Sequence, residues 1–458
     1  MHRAIEFFRH QVSKHGGYVY QYSADLTKRE GEGSVGLNTA WIEPPGTPFV
    51  GAAYLKAYRR CGDPLLLDAA KEVARALVVG QLESGGWGNQ IEFSDVSRRD
   101  IRYRFDTDLN REVIIQSGRK KRNTTTLDDN KSQSACHFLM SVDQELSFSD
   151  SKIHEATLYA LNSFVKAQYP NGAWPQRYDQ PSDQSLQNRT LKASIPEDWP
   201  RDYPAGKYAS YYTLNDHSIS DMIRLMLDAW FVYKNSDYLE AAKRGGDFLV
   251  LAQLPEPQPG WAQQYDKKMQ PSWARKFEPP AVTGGESQAV MKTLMILYRR
   301  LIGHDESAQK YLMPLPSALR YYRDSLLPSG NLARFYELET NLPLYMTHDY
   351  QLTYDADDLP THYRFIIRSN LDDLQREYDQ LIGAKGIDPW QPPSISPTER
   401  SAALTKRVNA IIDAMDPRGA WVEAGKLKYH GEADNVHGMI KTTTFCKNLL
   451  TLAEWLGK

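Results

Sequence analysis

Three tryptophans recur at one interval. Trp87, Trp174 and Trp261 stand 87 residues apart, and Trp421 follows 160 residues after the third. Each closes a related local pattern. Residues 81–87 read QLESGGW and residues 168–174 read QYPNGAW. Gln253 leads more loosely to Pro259-Gly260-Trp261, and residues 417–421 read PRGAW. Self-similarity at a fixed period marks stacked copies of one supersecondary unit that cannot bury its apolar face alone. The period is about twice that of the common solenoids, so each copy has room for two helices and a long loop.

Helical periodicity fills those copies. Residues 63–82, 151–168 and 238–254 each carry an apolar stripe at helical spacing and run into a loop holding Gly and Trp. Each follows another helix-like stretch, at 48–60, 127–142 and 214–233, and a further one lies at 284–301. Those partner stretches open on Thr47, Thr126, Thr213 and Thr283, the last three with acid or amide groups in the first turn. A closed ring of such hairpins is an all-α fold, an α/α toroid, with the Trp loops and helix N-termini gathered at one cup. Residues 331–355 break the pattern: alternating aromatics predict a strand pair within an excursion over 331–366. A Pro-rich connection at 386–397 leads to terminal helices at about 398–415 and 438–456. The expectation is one domain over 1–458, with residues 1–45 as an N-terminal helix and extended arm.

Composition narrows the function. With 55 Lys+Arg against 57 Asp+Glu, the net charge of -2 argues against a surface that grips nucleic acid or an anionic membrane as a whole. It leaves room for a local cationic cleft. Three scattered Cys offer neither a disulfide framework nor a CxxC metal site. No apolar run is long enough to span a bilayer. Residues 1–16 read as a short amphipathic helix (Ile5, Phe7, Phe8, Val12) rather than a signal peptide, so the expectation is a cytoplasmic chain or one trimmed to its mature start. The 27 Tyr and 10 Trp pose a question: core, or a cleft for ring-shaped ligands.

Two constellations carry chemistry. The first is the pair of acidic helix starts, Thr125-Thr126-Leu127-Asp128-Asp129-Asn130 and Thr213-Leu214-Asn215-Asp216. Singly, each reads as a helix cap. At equivalent places in successive repeats, their hard oxygens suit Ca²⁺ better than a soft metal. The second is the 261–287 loop, WAQQYDKKMQPSWARKFEPPAVTGGES. It sets Lys267, Lys268, Arg275 and Lys276 among Trp261, Tyr265, Trp273 and Phe277. Guanidinium forks pair carboxylates and aromatic planes stack on sugar rings, so this loop fits an acidic sugar polymer.

The same motifs resemble those of the family 10 polysaccharide lyases, pectate lyases of the α/α-toroid type. The resemblance runs over roughly residues 45–458, and 261–287 is its most specific part. It also rests on Asn171-Gly172-Ala173-Trp174-Pro175-Gln176, Asn215-Asp216, residues 334–341 (RFYELETN) and Phe445-Cys446-Lys447-Asn448. It implies Ca²⁺-assisted β-elimination along a polyuronate. Asp128 and Asp216 would serve metal and substrate, with Asp129 beside them, and Arg275 would be the Brønsted base. Guanidinium ordinarily keeps its proton. Arg275 could therefore instead be a carboxylate clamp, with Lys276, Tyr265 or water as base. Substrate contacts are expected from Trp174, Trp261, Gln264, Tyr265, Lys276, Glu286, Arg334 and Arg364. The implied partner is an acidic plant-type polysaccharide, met by a secreted or periplasmic monomer.

This chain departs from the family pattern in places. Asp128-Asp129-Asn130 replaces Asp-Asn-Gly, and Asn215-Asp216-His217-Ser218 replaces Asn-Asp-Asn-Ala. His348-Asp349-Tyr350 replaces Arg-Asp-Gly, and Thr361-His362-Tyr363-Arg364-Phe365 gives no clear counterpart of Arg-Arg-x-Gly-Tyr. Rival readings are an α/α-barrel glycoside hydrolase using Asp128 and Asp216 as paired carboxylates, and a non-catalytic pectin-binding relative. A terpene cyclase using Asp355-Ala356-Asp357-Asp358 is more remote, since that box follows a strand-like segment and precedes Pro360.

Overall fold

The Gln…Gly-x-Trp segments are the joints of the architecture. In the computed structural model, which describes residues 1–106, 122–183, 190–206, 208–383, 400–431 and 437–457, one side-chain amide ties each loop down twice. Gln81 Nε2 donates to the carbonyls of Gly85 (2.9 Å) and Ala156 (2.8 Å). Gln168 Nε2 does the same to Gly172 and Ala241, both at 2.9 Å. Gln253 Nε2 reaches Pro259 (3.0 Å) and Pro314 (2.9 Å). The indoles close the joints from the other side: Trp87, Trp261 and Trp421 donate to Leu77, Leu249 and Ile411 near the ends of the preceding helices. Gly172 sits at φ +93°, and a Cβ there would meet the Arg244 carbonyl at 2.0 Å, so the turn requires glycine.

The chain forms two compact units, residues 1–164 with 393–458 and residues 165–392. The first holds the helices His2–Phe7, Thr47–Cys61, Pro64–Val79, Lys131–Glu145, Ala402–Asp413 and Thr442–Leu456. Its small ribbons pair Thr39–Trp41 with Gln90–Glu92, and Gln21–Ser23 with both Arg29–Glu30 and Met439–Lys441. The second holds Ser218–Tyr233, Ser236–Leu251, Gly284–Leu301, Leu315–Asp324 and Leu371–Gly383. The helix Ser151–Ala167 contains the point where one unit passes into the other. Both units are built of α/α hairpins, the class the sequence predicts, and no closed sheet occurs among the described residues.

The strand excursion is present and larger than expected. Val282–Thr283, Phe335–Tyr336, Pro343–Met346 and Leu352–Thr353 form a four-stranded antiparallel ribbon, and Leu332–Ala333 pairs with Ile366–Ile367. This ribbon carries Arg334 and the 363–368 segment up to the first turn of the Gly284–Leu301 helix, where Gly284 N donates to the Arg334 carbonyl at 2.9 Å. Thr126 and Thr213 prove to be strand residues rather than helix caps, and their helices start five residues later at Lys131 and Ser218. The Pro-rich connection at 386–397 lies outside the described residues. Among the described residues no helix is long and apolar enough to cross a membrane.

Candidate functional site

The aromatic question resolves toward core. Trp174 and Trp261 are 1% and 0% exposed, so neither offers a face to a sugar. Tyr265 is equally buried: its hydroxyl donates to the Ala252 carbonyl at 2.6 Å and accepts from Ala262 N–H at 2.7 Å. Burial also pushes its pKa well above the ordinary tyrosine value. Gln264 is 1% exposed, and its amide donates to the Ser272 carbonyl. In this structure these four expected substrate contacts are packing and hydrogen-bonding residues. Their loops look like ligand motifs in sequence because joint and ligand platform draw on the same residue types.

What remains around the 261–287 loop is a charged relay. Arg275 Nε donates to Glu278 Oε2 at 2.8 Å, and its Nη2 donates to Oε1 at 2.5 Å. Glu278 is 2% exposed. Tyr363 donates its hydroxyl proton to Glu278 Oε1 at 3.0 Å, and that hydroxyl accepts from Arg334 Nη1 at 3.2 Å. Arg334 Nη1 also pairs with Glu286 Oε1 at 3.1 Å, and its Nε donates to the Arg364 carbonyl at 2.6 Å. Aromatic rings pack between the charges: the Arg334 guanidinium lies 4.5 Å from the Tyr363 ring centre, and Arg275 lies 4.9 Å from that of Phe277. Lys276 is exposed and sits 3.7 Å over Tyr350.

Electrostatics follows from this pairing. Burial works against the charge on Arg275, but the hydrogen bonds and charge of Glu278 outweigh it and hold the guanidinium pKa above its ordinary value. Burial alone would raise the Glu278 carboxyl. The Arg275 bonds prevail and hold it below the ordinary carboxylate range. The ligand-free arrangement therefore favours a charged Arg275.

Arg334 and Glu286 also line an open cavity of about 620 Å³ in the second unit. Asp216 and Arg364, both expected site residues, line it too, so four of the expected set share one wall. Arg224, Lys292 and Arg368 add cationic side chains that sequence reasoning missed. They lie in helices or in the segment after the excursion, where a lone Lys or Arg reads as a solvated face. Glu286 is 6% exposed, and its Oε2 has no hydrogen-bond partner among the described residues.

The two acidic turns share one backbone course. Asp129 and Asn130 take φ +51° and +57°, and Asp216 and His217 take +49° and +60°. Two successive left-handed residues thus precede each helix, and the structure registers Asp216 with Asp129 rather than with Asp128. Asn and Asp tolerate this region through short polar side chains. The first turn differs in one respect. Lys131, only 3% exposed, places its ammonium 2.7 Å from Asp129 and 2.8 Å from Glu43. Burial lowers the Lys131 pKa, but the two carboxylates prevail and raise it. Burial also pushes the Glu43 carboxyl up, against the pull of Lys131. For a hard cation such as Ca²⁺ the oxygen donors fit in kind, while Asp129 already has a resident counter-charge.

Residues 81–302, a little under half of the chain, match a family model of polysaccharide lyases. The model is that of the pectic acid lyases (Pec_lyase), and the span takes in both acidic turns and the whole 261–287 loop. The resemblance read from those motifs is thereby borne out. No curated protein matches the chain in sequence. Among solved structures, the family 10 polysaccharide lyase from Cellvibrio cellulosa is similar at 20% identity, over 73% of this chain and 95% of that one, with a TM-score of 0.47. A mutant of that enzyme in complex with trigalacturonic acid gives 19% identity, 74% and 99% coverage, and a TM-score of 0.47. A sugar epimerase from a ruminal bacterium gives 11% identity, 98% and 96% coverage, and a TM-score of 0.46.

Proposed function

We propose that this protein is a pectate lyase that cleaves polygalacturonate by β-elimination in the Asp216–Arg334–Arg364 cavity. The observation that carries the reading is the joining of that cavity, where five Lys and Arg side chains face Asp216, Glu286, Asp373 and Glu377, to Arg275 through Glu278, Tyr363 and Arg334. Arg334 and Arg364 would fork uronate carboxylates, while Arg368 adds positive charge beside Arg224 and Lys292, which are paired with Asp221 and Glu377. Glu286, with an oxygen to spare, would accept from a sugar hydroxyl. The base removes the proton at C5, beside the carboxylate. The C4–O bond then breaks, its electron pair leaving with the departing oxygen, and a C4=C5 double bond remains on the new sugar end. Positive charge held at the carboxylate stabilises the developing carbanion.

Calcium is the proposed cofactor, with Asp128 and Asp216 as the donors the resemblance assigns and Asp129 beside them. When bound, it supplies Lewis-acid polarisation of the uronate carboxylate. Arg275 is proposed as the group that takes the C5 proton. A second reading has its own support: the pairing with Glu278 favours the charged guanidinium, which suits a carboxylate clamp. The Arg275→Ala variant separates them, because loss in kcat at constant KM marks the base and a rise in KM marks the clamp. Such a polymer is met outside the cytoplasm, which fits secretion or a periplasmic site and a monomer acting alone on its substrate. Incubation with polygalacturonate, with Ca²⁺ or with a chelator, tests the proposal through the ultraviolet absorbance of the unsaturated product. Absorbance that rises only with metal present supports it. No rise at any Ca²⁺ concentration or alkaline pH overturns it.

A further inference from the structure

We propose that Tyr363 is a positioning residue, which holds Arg275 in register with Arg334 by bridging the carboxylate of one to the guanidinium of the other. The proposal rests on the lyase reading of the site. Its basis is a chain of contacts within one unit. Tyr363 donates to Glu278 Oε1 at 3.0 Å, the carboxylate that grips Arg275 through both oxygens. The same hydroxyl accepts from Arg334 Nη1 at 3.2 Å, and it also lies 3.4 Å from Gln263 Oε1. Its ring is wedged between the cations, 4.5 Å from the Arg334 guanidinium and 5.8 Å from that of Arg275. Phe277 packs on it at 4.8 Å and Phe365 at 5.5 Å, so the ring has little freedom to leave.

Two guanidinium groups flanking one tyrosine ring repel each other, and each can find another partner. Arg334 has Glu286. Arg275 is 42% exposed, so water can compete for its guanidinium. The Tyr363 hydroxyl removes that freedom by occupying an acceptor position on Glu278 and fixing the carboxylate plane. A residue that acts in this way touches no reacting atom. Removing it leaves the charges in place and blurs only their spacing, and misplacement near a reacting centre costs rate more than affinity.

The test is Tyr363→Phe, which keeps the packed ring and removes the hydroxyl. We expect kcat on polygalacturonate to fall about tenfold, with KM within about twofold, since the hydrogen bonds to Glu278 and Arg334 are both lost. Thermal stability should barely move. Glu278→Gln should lower kcat too, and the double variant should be no worse than Glu278→Gln alone, because hydroxyl and carboxylate act as one device. Wild-type kcat in Tyr363→Phe, or losses that multiply in the double variant, overturns the proposal. A second readout needs no turnover. Phenylglyoxal, which condenses with guanidinium groups, should modify Arg275 about threefold faster in Tyr363→Phe once its carboxylate is loosened, as followed by peptide mass spectrometry. Arg320, which is 71% exposed and far from this network in sequence, serves as the unchanged control. An unaltered rate at Arg275 contradicts the positioning role. A wild-type protein that yields no unsaturated product contradicts the lyase reading, and the labelling rates still decide the fate of Tyr363.

Discussion

At the scale of single residues, the account turns on Arg275 and its partners. Arg275→Ala should lower product formation by a factor on the order of a thousand, whichever of its two roles holds, since proton transfer and charge stabilisation are each worth that much. Steady-state kinetics check this, and a loss below about tenfold would remove Arg275 from the chemistry. The Glu278 carboxyl sits below its ordinary pKa in the fold. Its contribution to stability is therefore present above its unfolded value, about 4.3, and is lost as the pH falls through the folded value. A denaturation series across the acid range should show stability falling there, and Glu278→Gln should flatten that slope. Lys131→Met should tighten Ca²⁺ binding about tenfold in a calorimetric titration, because Asp129 gains a free charge when its resident ammonium is gone. Unchanged or weaker binding would show that Asp129 is not a donor. The sequence made Arg275, Glu286 and Arg334 legible because they sit in motifs. Lys131 and Tyr363 were opaque, since the partners that give them meaning, Glu43 and Glu278, lie 88 and 85 residues away.

At the scale of elements, the Gln…Gly-x-Trp joint does mechanical work that its residue types disguise. Gln81 is fully buried, and its amide satisfies two carbonyls from different segments. Gln81→Ala leaves both unpaired and should cost about 2 kcal/mol in chemical denaturation. Trp261→Ala should cost about 3–5 kcal/mol, from lost burial and a cavity. Substrate affinity should be unchanged in the protein that still folds; a weakened affinity would reinstate Trp261 as a contact. The main helices were readable from their apolar stripes, and Gly284–Leu301 falls where the pattern sets it. Leu315–Asp324 and Leu371–Gly383 went unrecognised. Their neighbourhoods are rich in Pro, Tyr and alternating aromatics, and a strand-like texture masked short amphipathic turns. The acidic turns were placed, yet their register was not. The repeat interval of 87 residues already pairs Asp129 with Asp216, and the matching left-handed pairs carry the same register in the backbone.

At the scale of the whole molecule, a near-zero net charge coexists with a strongly polarised working region. Acids and bases balance locally: Glu278, Glu286 and Asp216 stand among the arginines of the second unit, and Glu43 and Asp129 surround Lys131 in the first. If calcium binds the folded chain, saturating metal should raise its stability by about 2.7 kcal/mol at one hundred times the dissociation constant. Asp216→Ala should reduce that gain, and a melting curve indifferent to Ca²⁺ would place the metal elsewhere or nowhere. The family match covers residues 81–302, and Arg334 and Arg364, which line the cavity, lie beyond that span. Hydrolysis and elimination cut the same polymer but leave different ends. The mass of the fragments released from polygalacturonate therefore tests the central claim most directly. Elimination leaves one new end lighter by one water than hydrolysis would, carrying a C4=C5 double bond. Fragments of that mass are the predicted result, and fragments with two saturated ends would contradict the account.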